Sequence, residues 1–159
     1  MEKTNVMRIL DQKKINYNSY YYGNTDAVSG IEVAKILKQD DNQVFKTLVT
    51  VSVSKKYYVF MVPVACELNL KKAAKSVGEK SISMIPLKDL LPLTGYVHGG
   101  CSPIGMKKNF PVIIHQSAKN FSSIIFSAGK IGYQVDVSVS DLASLLSCQF
   151  SDIVEGGEI

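Results

Sequence analysis

At 159 residues the chain fits one domain and is a poor fit to two. With 46% hydrophobic and 20% charged residues, its composition excludes a disordered, a collagen-like or an acidic solvating chain. Eighteen Lys and Arg against 14 Asp and Glu leave a net charge of +4, compatible with an anionic partner but too small to name one. Residues 4–14 have the period of a short amphipathic helix, with Val6, Ile9 and Leu10 on one side. Residues 17–22 are aromatic and strand-like. Ser29 and Glu32 form a capping box, which starts a helix reaching to about Leu37. Asp40, Asp41 and Asn42 mark a turn. Residues 46–54 and 57–64 read as a hairpin. Asn69 caps a helix over 69–77 that Gly78 stops.

Residues 81–84 read as a short strand and 86–91 as a helix opened by Pro86. A further strand begins at Tyr96 and runs into the loop 99–105. Strands follow over 112–115, 123–128 and 133–139, with a turn at 128–132 before the third, and 140–146 closes with a helix. Many strands with few long helices predict an α+β fold: residues 1–159 as one domain, with a mixed, curled, barrel-like sheet flanked by helices. The opening residues lack the apolar core of a signal peptide, and the longest apolar run, 57–66, is too short for a membrane helix. Cys66, Cys101 and Cys148 are spaced neither as a disulfide framework nor as a zinc site. The expectation is a cytoplasmic chain with no metal and no cofactor.

The loop 99–108 is the most unusual local feature. Gly99 and Gly100 let a backbone approach a ligand and present N–H groups to it, or they simply build a tight turn. The loop is not a P-loop, because Met106 stands where that motif needs Lys. Strand alternation sets Lys46 with Leu48, Thr50 and Ser52, opposite a core set of Thr47, Val49, Val51 and Val53. Lys46 then faces either solvent or a polar cleft. His98 and Cys101 suggest a base and a thiol, but no third residue orients them. His115 reads as a structural histidine. Tyr17, Tyr20, Tyr21 and Tyr22 suit stacking on a base or cover of a core. Lys71, Lys72 and Lys75 form a basic helical face, for solvation or for phosphate.

Six segments, taken in order, resemble one family. They are 44–48 (VFKTL), 63–65 (PVA), 70–74 (LKKAA), 95–96 (GY), 99–108 (GGCSPIGMKK) and 127–132 (SAGKIG). The resemblance is to the YbaK/EbsC family, free-standing relatives of the editing domain inserted in bacterial prolyl-tRNA synthetase. It spans nearly the whole chain and is strongest toward the Cys-tRNA(Pro) deacylases. It implies a hydrolase that clears cysteine from mischarged proline tRNA, with the tRNA acceptor end as ligand and prolyl-tRNA synthetase as a transient partner. It implies catalytic roles for Lys46 and Tyr20. It implies substrate contacts from Thr47, Gly99, Gly100, Ser102, Pro103, Ser127 and Gly129. It also implies that the substrate's own thiol attacks its ester, so the enzyme needs no nucleophile, and Cys101 falls at a variable position of the motif.

Three positions depart from the family's pattern. Ser29 stands where an aromatic is frequent, Ile131 replaces an arginine, and Gln134 replaces an acidic residue. Asp136 shares the strand face of Gln134 and is a candidate to stand in for it. Both are therefore candidate substrate contacts. Two alternatives stay open: a deacylase of another amino acid such as alanine, and a noncatalytic module that binds tRNA ends or nucleotides.

Overall fold

In a computed structural model, residues 2–156 are described. The terminal residues 1 and 157–159 of the expected domain lie outside them. The elements, in chain order, are α1 (Asn5–Gln12), β1 (Tyr17–Tyr21), α2 (Gly30–Ile36), β2 (Phe45–Ser52), β3 (Tyr57–Pro63), α3 (Leu70–Ser76), β4 (Ile82–Met84), α4 (Leu87–Thr94), β5 (Val112–His115), β6 (Ser123–Ser127), β7 (Tyr133–Ser138), α5 (Val139–Leu146) and β8 (Gln149–Ser151). A short 3-10 helix, Gln116–Asn120, links β5 to β6. That turn and β8 have no counterpart in the sequence reading.

The α+β class holds, but the single barrel-like sheet does not. Two sheets form instead, a three-stranded one in the order β1-β7-β6 and a five-stranded one in the order β4-β2-β3-β5-β8. They meet at one parallel bridge, Val44 to Ile125, where the Ile125 N–H donates to the Gln43 carbonyl at 3.0 Å. The barrel fails to close because the edge of β2 is shared. Its start meets β6 through that bridge, whereas its end pairs with β4 from Thr50 to Ser52. Between them, around Lys46, Thr47 and Leu48, no strand of the described residues lies on that side.

The helix caps follow the local sequence. Thr4, Ser29, Asn69 and Ser138 each accept a backbone N–H from the first turn of their helix. The strand expected from Tyr96 is absent. Gly95 ends α4 in the left-handed region, and Lys107 N–H returns to the Thr94 carbonyl. The chain between them is a folded-back loop, pinned where the Tyr96 hydroxyl donates to the Ile104 carbonyl.

The central strands of the five-stranded sheet, β3 and β5, are buried on both faces. Val59, Met61 and Ile114 pack with Val6 and Leu10 of α1 and with Phe126 and Val137 of the smaller sheet. Phe60, Val62 and Ile113 pack on Ala73 and Ala74 of α3. This corrects the expected core set of β2. Val49 is buried, but Val53 is 60% exposed, whereas Thr50 and Ser52 on the opposite face are buried. The Thr50 hydroxyl is accommodated there by donating to the Tyr58 carbonyl at 3.0 Å.

Candidate functional site

A cavity of about 530 Å³ occupies the gap in the edge of β2. Phe45, Lys46, Thr47 and Leu48 form its back wall. Gly30, Ile31 and Val33 of α2 close one side, and Met84, Leu87 and Leu90 close the other. Ser127 at the end of β6 and Gln134 of β7 complete it with Gly99 and Cys101 of the loop after α4. Backbone alternation follows from the neighbours: Gln43 and Val49 both turn their carbonyls to this side of β2. Thr47, in the same phase, therefore directs its own N–H and C=O to the open edge.

Among the described residues, Lys46 is the one Lys or Arg on the cavity wall. Its ammonium lies 3.6 Å from the Glu67 carboxylate, with the two side chains 31% and 81% exposed. Such a pair holds loosely and yields readily to a ligand. The Thr47 hydroxyl is buried without a hydrogen-bond partner. A buried hydroxyl in a cavity wall with nothing to bond is a group suited to a ligand. Ser127 Oγ accepts from the Gly129 N–H at 3.1 Å and lines the cavity beside Gln134.

The two glycines part company. Gly99 lines the cavity with a φ of +87°, and the Gly100 N–H donates to the Val97 carbonyl at 3.0 Å, the pattern of a type II turn. Gly100 therefore spends its N–H within the turn. Cys101 lies in the wall, yet burial pushes its thiol up to about 12, offset only in part by the Thr94 hydroxyl. A thiol so placed stays protonated at neutral pH and is a poor nucleophile. His98 is exposed at the mouth.

Lys46, Thr47, Gly99, Ser127 and Gln134 thus share one cavity with His98 and Cys101, whereas Tyr20, Gly100, Ser102, Pro103, Gly129 and Asp136 stand outside its lining. Tyr20 packs among Ala34, Val44, Val64 and Ile125, behind the wall, whereas Tyr22 reaches the cavity. Ser102 is fully buried, and its hydroxyl accepts from the Ile104 N–H at 3.4 Å. Pro103 lines a second hollow of about 370 Å³ with Ile104, Met106 and Lys108. Gly129, at a φ of +90°, sits where a Cβ would come within 2.9 Å of Val6 and 3.0 Å of Tyr96. Asp136 is opposite Asn18 and Ile125, with one buried carboxylate oxygen unpartnered. Val64 lines the site from the 63–65 segment, whereas Glu67, Met84 and Leu87 line it without any signal in the sequence, because each lies outside a motif.

Residues 25–145 match the family model of the aminoacyl-tRNA editing domain. A protein of Enterococcus faecalis (strain ATCC 700802 / V583) that carries the name Cys-tRNA(Pro)/Cys-tRNA(Cys) deacylase EbsC is 44% identical over 153 residues, covering 96% of this chain and 93% of that one. A crystal structure described as a trans-editing enzyme for prolyl tRNA synthetase matches with a TM-score of 0.82 at 22% identity, over 95% of both chains. The hypothetical protein APE2540 matches with a TM-score of 0.86 at 18% identity, over 97% of this chain and 100% of that one. At those identities the two structures speak for the fold.

Proposed function

Because the chain belongs to the aminoacyl-tRNA editing domain family, we propose that it is a deacylase that removes cysteine from mischarged Cys-tRNA(Pro), and from Cys-tRNA(Cys), by opening the ester at the tRNA 3′ end. The supporting observation is the cavity's chemistry: among the described residues, one lysine, Lys46, an orphan hydroxyl on Thr47 and a thiol, Cys101, held in its protonated form. Such a wall binds and orients an ester, and the nucleophile comes from the substrate.

The cysteine thiol of the substrate loses its proton, and its sulfur attacks the ester carbonyl carbon. A C–S bond forms, the C–O bond to the ribose breaks, and the ribose oxygen takes up a proton. The aminoacyl group leaves as a thiolactone, which water opens to free cysteine. The Lys46 ammonium stabilises negative charge on the carbonyl oxygen or the neighbouring phosphate. The Thr47 groups on the open edge and the Gly99 turn hold the aminoacyl group bent toward its own carbonyl. Tyr20 acts from behind the wall by fixing Val44 and Val64. Asp136 acts on the face beyond Gln134.

The small domain selects proline tRNA with the help of prolyl-tRNA synthetase in a transient complex. It works in the cytoplasm, where charged tRNA is found, and among the described residues no helix is long and apolar enough to cross a membrane. A deacylation panel of Cys-, Ser- and Ala-charged proline tRNA tests the reading. Release of cysteine alone supports thiol assistance. Equal release of serine would mean attack by water. Salt-sensitive binding without any turnover would mean a tRNA-end binding module.

A further inference from the structure

Gln134 is 5% exposed and lines the cavity from β7. Its Oε1 accepts a 2.8 Å hydrogen bond from Nε2 of Gln39, 95 residues away in the chain and just past the end of α2. The Oε1 of Gln39 is itself buried and unpartnered. That orphan fixes the sense of the pair. Exchanging the oxygen and nitrogen of Gln39 would bury an N–H with nothing to accept it, which is rarer in proteins than an under-satisfied carbonyl. With its oxygen taken by Gln39, Gln134 keeps its N–H groups as the part of the amide free for a ligand.

We propose that Gln39 is a positioning residue that holds the Gln134 amide with its N–H donors available to the side chain of the bound aminoacyl group. This rests on the deacylase reading above. An amide donor favours a group that accepts, and a thiolate accepts far better than a methyl group or a thiol. Gln134 then lowers the cost of ionising the substrate thiol before its sulfur attacks the ester. The other titratable groups on the cavity wall are Lys46, Glu67, His98, Cys101 and Tyr22. Asp136 sits two residues beyond Gln134 on the same strand face. Lys46 favours the thiolate, and Glu67 and Asp136 oppose it. Substitution at Gln39 changes the hydrogen bond while leaving all of these charges in place.

The test is Gln39→Met, which removes the donor at similar length. The rate of cysteine release rises with pH as the thiol ionises, from an ordinary value of about 8.5. In the variant that limb should move up by about one pH unit. Turnover at neutral pH should fall about tenfold, with KM within about twofold. A folded variant with an unmoved limb and an unchanged rate overturns the proposal while the deacylase reading stands. A wild-type protein that releases no cysteine overturns both. If the variant does not fold, the wild-type protein decides. The side-chain NH2 resonances of Gln134 should shift on adding the cysteinyl-amide analogue of the terminal adenosine, and more than with the alanyl analogue. Equal shifts, or none, overturn the positioning role.

Discussion

Lys46 and Cys101 share one cavity wall but differ in what their surroundings let them do. Lys46 keeps its side chain 31% exposed and paired only with the more exposed Glu67, so its removal costs little stability. Lys46→Ala should lower cysteine release by about 100-fold or more while the melting temperature moves little. Cys101 is 8% exposed, and burial holds its thiol near 12. Cys101→Ala should keep release within about twofold and cost about 1 kcal/mol in denaturant unfolding, because only a small buried group is lost. Loss of release in a folded Cys101→Ala protein would point to an enzyme thiol and count against the substrate-thiol mechanism. The sequence singles out Lys46 through motif order, not through periodicity. Alternation alone left Lys46 between solvent and cleft. The pairing of Gln39 with Gln134 was not legible at all, because a bond across 95 residues leaves no local pattern.

Elements with local causes were legible, and those with distant causes were not. The Ser29 cap could be read from four consecutive residues, and its hydroxyl accepts from the Glu32 N–H at 3.2 Å. Ser29→Ala should cost about 1 kcal/mol in unfolding free energy. Because α2 is only seven residues long and forms one side of the cavity, the same variant should show faster hydrogen exchange over Gly30–Ile36. Unchanged protection there would mean that packing of Val33 and Ala34, not the cap, holds the helix. The segment after Tyr96 misled the sequence reading for the opposite reason. Strand formation needs a neighbour, and whether an edge is free depends on the whole fold. The same holds for the break in the edge of β2. Its start and end are claimed by β6 and β4, which lie far apart in sequence. The site is therefore a product of topology that no window of the chain contains.

Over the whole molecule, the C-terminal segment ties the larger sheet to the loop that carries Glu67. Asn69 N–H donates to the Ile153 carbonyl at 2.8 Å, and Glu155 N–H donates to the Glu67 carbonyl at 2.9 Å. Behind this clasp, His115 is 1% exposed and its Nδ1 accepts from the Ile153 N–H at 3.3 Å. Burial holds the imidazole below its ordinary 6.5, aided by Lys72 and opposed by the Asp152 carboxylate 3.9 Å away. The unfolded chain thus takes up a proton near 6.5 that the folded protein resists. Stability from this group is complete above about pH 6.5, falls as the pH drops below it, and levels off beneath the folded value. Asp152, held low first by its hydrogen bond from Lys72, adds a separate loss as the pH falls below 3.8. Denaturant unfolding between pH 7.5 and 5 should show the first slope, and His115→Gln should flatten it. A slope that persists in that variant would assign it to other groups.

The open stretch of β2 has one more effect, on how copies of the protein meet. Unpaired strand backbone is ordinarily adhesive, since a neighbouring chain can add to it and begin a shared sheet. An added strand must run alongside at about 4.8 Å for several residues. Here β6 and β4 occupy the two ends of that edge, and Ile31 and Leu87 stand over the interval. A small ester enters the recess, but an extended chain has no run to lie along. The protein can keep bare main-chain groups ready for a ligand without offering a template for aggregation.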